Sequence, residues 1–189
     1  MNKEEFRARG LQARNALDLE DQTENSFQIM KKLLKLDDFV LAETIAFFVG
    51  IKTEVLTEPM IQEALLDGKT VLVPVSDMKS RTMFFAQIES LEELEETEHG
   101  LYEPLNGTEF PLEEIDIIVV PMSAFDLQGN RLGYGKGFYD KMFWEIKKAK
   151  GKALFVGLGF ECQLFEGIPN DKHDLKLDLI ITEKRVVRC

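Results

Sequence analysis

The chain alternates between short, nearly continuous apolar runs and longer amphipathic segments. The runs TIAFFVG, TVLVPV, IDIIVVP, ALFVGLGF and LDLIITE have the length of strands. Continuous apolar runs of this length are typical of strands that are buried on both faces of a sheet. The run MFFAQI follows TVLVPV after a short polar break and indicates a further strand at a sheet edge or in a hairpin.

Two amphipathic helices are predicted before the first apolar run. Asn2 and Glu5 have the spacing of a capping box, so the first helix is expected to begin near Lys3. Lys3 and Arg7 are four residues apart and therefore share a face of this helix. The second helix covers residues 20–36, and its predicted apolar stripe consists of Phe27, Met30, Leu33 and Leu34.

Further helices are predicted between the later runs. Thr57 caps a helix that Gly68 ends, and another helix covers residues 137–149. The segment LEELEE follows a capping-box spacing and predicts a short acidic helix. Apolar strands separated by amphipathic helices predict one α/β domain over residues 1–189, with a mostly parallel sheet and helices on both faces. Ligands of such sheets bind beyond the carboxyl ends of the strands, which draws attention to residues 52–54, 122–126 and 170–174.

The composition limits the possible classes of function. Lys and Arg number 23 and Asp and Glu number 34, so the formal net charge is −11, and such an acidic surface repels a nucleic-acid backbone. The apolar runs are too short to cross a bilayer, and the charged start MNKEEFRARG contains no apolar leader. Cys162 and Cys189 form no Cys-x-x-Cys pair, which is typical of a reduced protein. We expect a cytoplasmic protein, monomeric by default, without nucleic-acid or membrane partners.

The segment NRLGYGKGFYDK lies between a predicted strand and a predicted helix. It contains three glycines at alternate positions, namely Gly133, Gly135 and Gly137. A helix start leaves backbone N–H groups unpaired, and glycines let such groups close around oxyanions. Arg131 and Lys136 supply cations suited to phosphate oxygens, and Asp140 falls where it could hold a magnesium ion against them.

This glycine loop matches neither of the two common nucleotide motifs. A P-loop requires Ser or Thr directly after its lysine, but Lys136 is followed by GFYD. A dinucleotide fingerprint requires Gly-x-Gly-x-x-Gly rather than alternate glycines. From the residues alone, two interpretations stay open: an anion-binding loop, or a mobile turn in which Asp140 complements the helix N-terminus.

The longer run IDIIVVPMSAFDLQGNRLGYGKGFYDKM resembles the signature of the 5-formyltetrahydrofolate cyclo-ligase family, also called methenyltetrahydrofolate synthetases. The matching positions are the Phe-Asp pair at 125–126 and residues 129–140. Lys3 with Arg7, Glu54 and the segment HDLKLDLIITE extend the resemblance over nearly the full length. It implies an ATP- and Mg²⁺-dependent cyclisation of 5-formyltetrahydrofolate to 5,10-methenyltetrahydrofolate, with release of ADP and phosphate by way of a phosphorylated formyl group.

The resemblance also assigns roles to individual positions. It implies ATP contacts at Lys3, Glu4, Glu5, Phe6 and Arg7, and along the loop at Arg131, Leu132, Gly133, Tyr134, Gly135, Lys136, Gly137, Phe138 and Tyr139. Within that set, Arg131 and Lys136 are expected to act in catalysis. It implies folate contacts at Val49, Glu54, Tyr134, Gly135, Lys136, Gly137 and Phe138, and magnesium ligands at Asp140 and Asp174.

Several other positions receive weaker expectations. Asp126 is left between two roles, supporting the loop or holding a metal-bound water. His99 and His173 are expected to be bystanders, since no metal-ligand spacing links them. The chain departs from the family pattern at residues 122–123, and residues 81–103 match it poorly, so no substrate contact is predicted there.

Two other functions stay open from the sequence. A nucleotide- or folate-binding protein without turnover would act as a carrier or regulator, but a decayed site would tolerate loss of the two candidate metal aspartates, and this chain retains both. An α/β enzyme for another phosphorylated small molecule would need the glycine loop but not Lys3 and Arg7. Deleting the first helix would leave such an enzyme active.

Overall fold

The computed structural model describes residues 1–172 and 174–189. Its α-helices in that part of the chain are α1 (Lys3–Asn15), α2 (Leu19–Leu33), α3 (Asp37–Leu41), α4 (Glu58–Leu66) and α5 (Phe138–Lys148). Its strands are β1 (Thr44–Ala46), β2 (Thr70–Asp77), β3 (Thr82–Ile88), β4 (Leu94–Glu96), β5 (Tyr102–Pro104), β6 (Ile117–Pro121), β7 (Ala124–Phe125), β8 (Arg131–Leu132), β9 (Leu154–Leu158), β10 (Leu179–Ile181) and β11 (Val186–Arg188). Within these residues no helix combines the length and apolar character that crossing a membrane requires.

The central sheet has seven strands within the described residues, in the order β11-β10-β9-β6-β1-β2-β3. The five inner strands run parallel to one another. The edge strands β3 and β11 are antiparallel to their neighbours. The mostly parallel sheet is therefore confirmed, and so is the hairpin that MFFAQI indicated.

Apolar side chains cover both faces of this sheet. On one face, Ile29 of α2 and Met60 and Ile61 of α4 pack against inward side chains of the strands, and all three are fully buried. On the other face, Met142 and Ile146 of α5 pack in a second cluster with residues of β1, β2, β6, β9 and β10. The predicted placement of helices on both faces is confirmed.

Three details of the predicted elements are wrong. Phe27 of the predicted stripe of α2 is 44% exposed, although Leu33 is fully buried and Met30 and Leu34 pack against the core as predicted. Thr57 makes no side-chain cap, since its hydroxyl donates to the carbonyl of Phe48 and accepts from Gly50 N. The LEELEE segment is not a helix: its first half is a 3-10 turn and its second half is β4, which pairs with β5.

The strand order positions the functional site. The chain enters the sheet at β1, adds β2 and β3 on one side, and returns to place β6 on the other side of β1. Loops that leave the carboxyl ends of β1 and β6 therefore diverge, and such a switch point is where open parallel sheets bind ligands.

Helix α1 contacts this switch region from outside the central sheet. It packs against the small β7–β8 sheet and the 3-10 turn Glu161–Gln163. Phe6 contacts the ring of Phe165 edge-on, with centroids 5.1 Å apart. Gly10 is buried, and a Cβ at this position would lie 2.0 Å from the carbonyl oxygen of Ser123. Only glycine allows α1 to approach the backbone this closely.

We predict that Gly10→Ala lowers the free energy of unfolding by about 1–3 kcal/mol, because the added methyl group forces α1 away from Ser123. Urea denaturation monitored by circular dichroism measures this change. In an exposed helix the same substitution would raise stability by about 0.5–1 kcal/mol. Ala8→Gly at an exposed position of α1 is the matched control, with an expected loss of about 1 kcal/mol from helix propensity alone. A stabilised Gly10→Ala variant would contradict the close approach.

Candidate active site

A cavity of about 490 Å³ opens at the carboxyl ends of β1 and β6. Phe48 and Val49 line it after β1, and Pro121 lines it at the end of β6. The whole glycine loop, residues 131–140, forms another part of the wall. Glu54 and Asp174 also reach it, so two of the three strand-end segments singled out in the sequence contribute side chains to one cavity.

The glycine loop has a backbone that side chains would disfavour. Gly135 and Gly137 have φ angles of 83° and 74°, in the left-handed region where glycine is strongly preferred. Gly137 is also the N-cap of α5, and no side chain caps that helix there. The free N–H groups of the first turn of α5 thus follow directly on a loop that borders the cavity. The loop is a defined structure rather than only a mobile turn.

Arg131 is a buried cation in this wall, 6% exposed. Its Nη2 donates to Oδ1 of Asp140 at 3.2 Å, and its guanidinium lies 5.6 Å from the ring centre of Tyr139. Burial lowers the pKa of Arg131, although the neighbouring Asp140 charge opposes that change. Among the described residues its Nε has no hydrogen-bond partner, and that atom is shielded from solvent. A buried charge that only Asp140 pairs with is costly, and an anion in the cavity that Arg131 lines would offset this cost.

Three further cations surround the loop. Arg7 lines the cavity and donates from Nε to the carbonyl of Gly133 at 2.9 Å. Lys136 is exposed, and Nζ contacts only the sulfur of Met78, at 3.6 Å, among the recorded hydrogen bonds. Lys3 does not line the cavity itself, because its ammonium group is bound to Asp171 and Asp174.

Asp140 and Asp174 lie on neighbouring segments at one end of the cavity. Asp140 accepts from Leu175 N at 2.9 Å and from Arg131, both through Oδ1. Asp174 accepts from Lys3 and from Asp171 N, both through Oδ2. Burial of Asp174 is outweighed by these two hydrogen bonds, so its pKa is lowered. Among the described residues, Oδ2 of Asp140 and Oδ1 of Asp174 accept no recorded hydrogen bond.

This pair of carboxylates suits a hard divalent cation that keeps most of its ligands outside the protein. Within residues 1–172 and 174–189, no group of three or more His, Cys, Asp or Glu side chains converges to form a complete metal site. Mg²⁺ typically takes one or two carboxylates and completes its shell with water and substrate phosphates. The donors present therefore fit Mg²⁺ bound together with a phosphate, and they do not fit a metal held by protein ligands alone.

Glu54 forms the polar centre of the opposite wall, and it is 5% exposed. Its Oε1 accepts from the hydroxyl of Tyr134 at 2.7 Å, and its Oε2 accepts from Ile51 N at 3.1 Å. Burial raises the pKa of Glu54, and these two hydrogen bonds together with the charge of Arg14 only partly offset that effect. Burial and the adjacent Glu54 also raise the pKa of Tyr134 to about 12, so its hydroxyl stays protonated.

The backbone that carries Glu54 is held from α2 and α4. Gln22 on α2 donates from Nε2 to the carbonyl oxygens of Lys52 and Glu54, at 3.2 and 2.9 Å. Thr57, at the start of α4, accepts from Gly50 N at 2.9 Å. Lys52 itself has a φ of 54°, a strained value for a residue with a Cβ. These contacts hold a strained loop in the one conformation that places the Glu54 carboxylate in the cavity.

Only some of the ligand contacts predicted from the sequence line this cavity. Val49, Glu54, Arg7, the residues from Arg131 to Asp140, and Asp174 all line it. Glu4, Glu5 and Phe6 do not line it, and Glu5 instead completes the capping box of α1. Asp126 is 1% exposed. It accepts hydrogen bonds from Gln128 N, from N and Nδ2 of Asn130, and from Ile168 N, which accounts for the loop-supporting role. His173 lies outside the described residues.

One wall of the cavity was missed by sequence reasoning. It is formed by β2, β3 and the β4–β5 hairpin, and its residues are Pro74, Ser76, Met78, Met83, His99, Leu101, Tyr102 and Glu103. Glu103 is partly buried there and accepts from Ser76 N at 2.9 Å, and burial raises its pKa. Arg14, which contacts Tyr134, was also missed. Its signal was available, because Arg14 lies seven residues after Arg7 and so on the same face of α1.

A sequence model described as the 5-formyltetrahydrofolate cyclo-ligase family matches residues 1–183, nearly the whole chain. The chain belongs to the 5-formyltetrahydrofolate cyclo-ligase family. The resemblance drawn from the glycine loop is therefore confirmed, and the protein is an enzyme of this family.

Individual members of the cyclo-ligase family support the assignment over full length. The chain is 31% identical to the 5-formyltetrahydrofolate cyclo-ligase of Escherichia coli over 180 residues, covering 93% of this chain and 97% of the relative. It is 30% identical to the mouse enzyme of the same name over 189 residues, covering 96% and 93%. The solution structure of Aquifex aeolicus 5,10-methenyltetrahydrofolate synthetase superposes with a TM-score of 0.85 at 33% identity, covering all of this chain and 93% of that one.

We predict a pH-dependent difference in stability between the wild type and Glu54→Gln. Because burial raises the pKa of Glu54 in the folded state, its carboxyl group stabilises the fold fully below the pKa of the unfolded chain, and that contribution is lost as pH rises through the folded-state pKa. The free energy of unfolding of the variant should therefore gain on that of the wild type as pH rises above the ordinary pKa of a glutamate. Urea denaturation across this range measures it, with the exposed Glu145→Gln as control. If the difference in free energy of unfolding changed with pH in the opposite direction, it would contradict a raised pKa of Glu54.

Proposed function

We propose that this protein converts 5-formyltetrahydrofolate to 5,10-methenyltetrahydrofolate with consumption of ATP in the presence of Mg²⁺, releasing ADP and phosphate. The observation that carries the proposal is that the whole glycine loop, with the cations Arg131 and Lys136, lines one cavity. The same cavity contains the buried carboxylate of Glu54. An anion site and a site for N–H donors thus share one space, as a reaction between a nucleotide and a folate requires.

The nucleotide side of the proposal rests on the glycine loop. Backbone N–H groups at the start of α5 would donate to phosphate oxygens, and the helix N-terminus favours negative charge there. The buried charge of Arg131 would attract the phosphates, while the flexible Lys136 would follow the phosphoryl group as it moves. Phosphoryl transfer depends mostly on positioning and charge neutralisation, so this set of donors needs no protein nucleophile.

The metal side rests on Asp140 and Asp174, the two carboxylates that each keep one oxygen outside the recorded hydrogen bonds. Bound Mg²⁺ would neutralise charge on the phosphates. Arg131 and Leu175 N hold Asp140 in place, and Lys3 with Asp171 N holds Asp174. Lys3 therefore contributes to the nucleotide end of the cavity by positioning Asp174.

The folate side rests on Glu54 and the apolar wall around it. A carboxylate accepts N–H donors on both oxygens, which matches the donor-rich edge of a pterin ring. Phe48, Val49, Pro74 and Met83 line the same cavity and supply apolar surface for a flat heterocycle.

The proposed chemistry has two steps, and both need the two substrates in contact. The formyl oxygen attacks the terminal phosphorus of ATP, ADP leaves, and the oxygen becomes part of a phosphate ester. The N10 nitrogen then attacks the formyl carbon, the C–O bond breaks, and phosphate leaves with that oxygen as N10 loses its proton. Holding the reacting atoms together accounts for much of such catalysis, which explains why both half-sites face one cavity.

The setting of the reaction follows from the same molecule. We propose a cytoplasmic enzyme, which is supported by two free cysteines that are both exposed. We further propose that it acts as a monomer on small molecules alone, since the net charge of −11 disfavours nucleic acid.

The direct assay mixes the protein with 5-formyltetrahydrofolate, ATP and MgCl₂ and follows the near-ultraviolet absorbance of the methenyl product. ADP release, measured in the same samples, should match product one for one. Omission of ATP, or chelation of Mg²⁺ with EDTA, should abolish both signals. Product formation without ATP, or ATP hydrolysis without product, would contradict the proposed reaction.

Variants of the loop test the assignment of residues. Lys136→Ala and Asp140→Asn should each lower kcat/KM for ATP at least about tenfold, equivalent to about 1.4 kcal/mol, because each removes a group that holds the phosphates or their metal. Lys148→Ala and Glu145→Gln break an exposed ion pair on the same helix and serve as matched controls. If the loop variants match these controls, the nucleotide lies elsewhere.

A further inference from the structure

Arg14 lies in the last turn of α1, where it is 4% exposed and does not line the cavity. Its guanidinium nevertheless contacts Tyr134 and Glu54, the two polar groups on the side of the cavity proposed to bind folate, which is called the folate wall below. Nη2 donates to the hydroxyl oxygen of Tyr134 at 2.8 Å, and Nη1 lies 3.8 Å from Oε1 of Glu54. The proposed reaction as derived so far uses Glu54 and assigns nothing to Arg14.

The direction of the hydrogen bonds follows from the chemistry of the three groups. A guanidinium has only donors, so the oxygen of Tyr134 must accept from Arg14. The single O–H of Tyr134 is then free to donate to Oε1 of Glu54, at 2.7 Å. Arg14 thereby selects one orientation of the Tyr134 hydroxyl, although the Tyr134 ring is half exposed and belongs to the glycine loop.

Arg14 is itself held before any ligand arrives. Its Nε donates to Oγ1 of Thr53 at 3.2 Å, and that hydroxyl donates to Oδ1 of Asn15 at 2.6 Å. Thr53 precedes Glu54 in the loop that Gln22 fixes through its backbone carbonyls. The guanidinium is therefore anchored on one edge to the Glu54 loop and on another to the glycine loop.

The charge of Arg14 also acts on Glu54. Three titratable groups interact electrostatically with Glu54: Arg14 on α1, Tyr134 in the glycine loop and Tyr139 on α5. Of these three, only Arg14 carries a positive charge at neutral pH. Burial disfavours the ionised carboxylate and raises the pKa of Glu54. The hydrogen bonds from Tyr134 and Ile51 N oppose this most, and the charge of Arg14, which also holds Tyr134, adds to them.

We infer that Arg14 is a positioning residue for the folate substrate, which sustains the negative charge of Glu54 and fixes the Tyr134 hydroxyl between the nucleotide loop and the folate wall. The inference rests on the proposed function, because Glu54 accepts substrate N–H groups only as a carboxylate with free acceptor capacity. Arg14 acts through Glu54 and Tyr134 and touches no reacting atom.

The first test compares Arg14→Met with Arg14→Lys, two side chains of similar length of which only lysine is charged. Carbon-13 NMR of labelled glutamate, with Glu54→Gln to assign the signal, follows the titration of Glu54 in the protein without substrates. In Arg14→Met the proton affinity of Glu54 should rise about tenfold, which moves the midpoint of its titration to higher pH. In Arg14→Lys the rise should be smaller. Equal shifts in the two variants would show that Arg14 only fills space, and would overturn the inference.

Substrate affinity gives the second readout. In Arg14→Met the KM for 5-formyltetrahydrofolate should rise about tenfold at neutral pH and rise further as pH falls, because a protonated Glu54 cannot accept as a carboxylate. The KM for ATP should change less than about threefold, since Arg131, Lys136 and the start of α5 are untouched. Arg9→Met, at an exposed position of the same helix, is the matched control and should match the wild type. Equal rises in both KM values would contradict a folate-positioning role.

A third variant keeps the inference testable if Arg14→Met does not fold. Tyr134→Phe keeps the ring, removes the hydroxyl and leaves Arg14 beside Glu54. It should raise the Glu54 midpoint, and adding Arg14→Lys to it should have less effect than in the wild type, because the two residues act through one chain of hydrogen bonds. Additive effects would overturn the inference. The NMR readout needs no turnover, so it separates a failure of this inference from a failure of the proposed reaction, which would appear as a wild type without product.

Discussion

The path of the chain through the central sheet is the constraint on which the rest of the structure depends. Because β1 is laid down in the middle and strands are added on both sides of it, the loops that leave β1 and β6 point away from each other. The crevice between them receives the loop of Glu54 from one strand and the glycine loop from the other. The cavity thus results from strand order, before any particular side chain is considered.

Buried charge determines how that crevice is used. Arg14, Glu54 and Arg131 are each less than about one tenth exposed, and isolated charges at such positions cost several kcal/mol unless partners compensate them. Arg14 and Glu54 share Tyr134, so their charges are met inside the protein. Among the described residues, Arg131 forms an ion pair only with Asp140. The two ends of the cavity therefore differ: one is preorganised around a carboxylate, and the other contains a buried cation whose cost an anion would offset.

Helix α1 lies outside the central sheet and contacts residues at both ends of the cavity. Lys3, Arg7 and Arg14 share one face of the helix and reach Asp174, Gly133 and the Tyr134–Glu54 pair respectively. The approach depends on Gly10, which lies on the same face and allows the helix to pack on the Ser123 backbone. A single helix thereby contacts both the glycine loop and the loop that carries Glu54.

The sequence by itself determined the apolar strands, the helices between them, the parallel sheet and the glycine loop, because these depend on local periodicity, capping and backbone preference. It also indicated the family, through a long motif. The structure explains three residues of that motif: Gly135 and Gly137 have left-handed backbone conformations, and Arg131 is a buried cation paired with Asp140. It could not find the wall formed by Ser76, Met83 and Glu103, although the β2–β3 hairpin was predicted, since no local pattern records that the later β4–β5 segment packs beside that hairpin at the cavity. The exposure of Phe27, the contact of Arg14 with Glu54 and the burial of Arg131 beside Asp140 were decided only by the tertiary structure, because burial and the pairing of charges depend on what packs against each group.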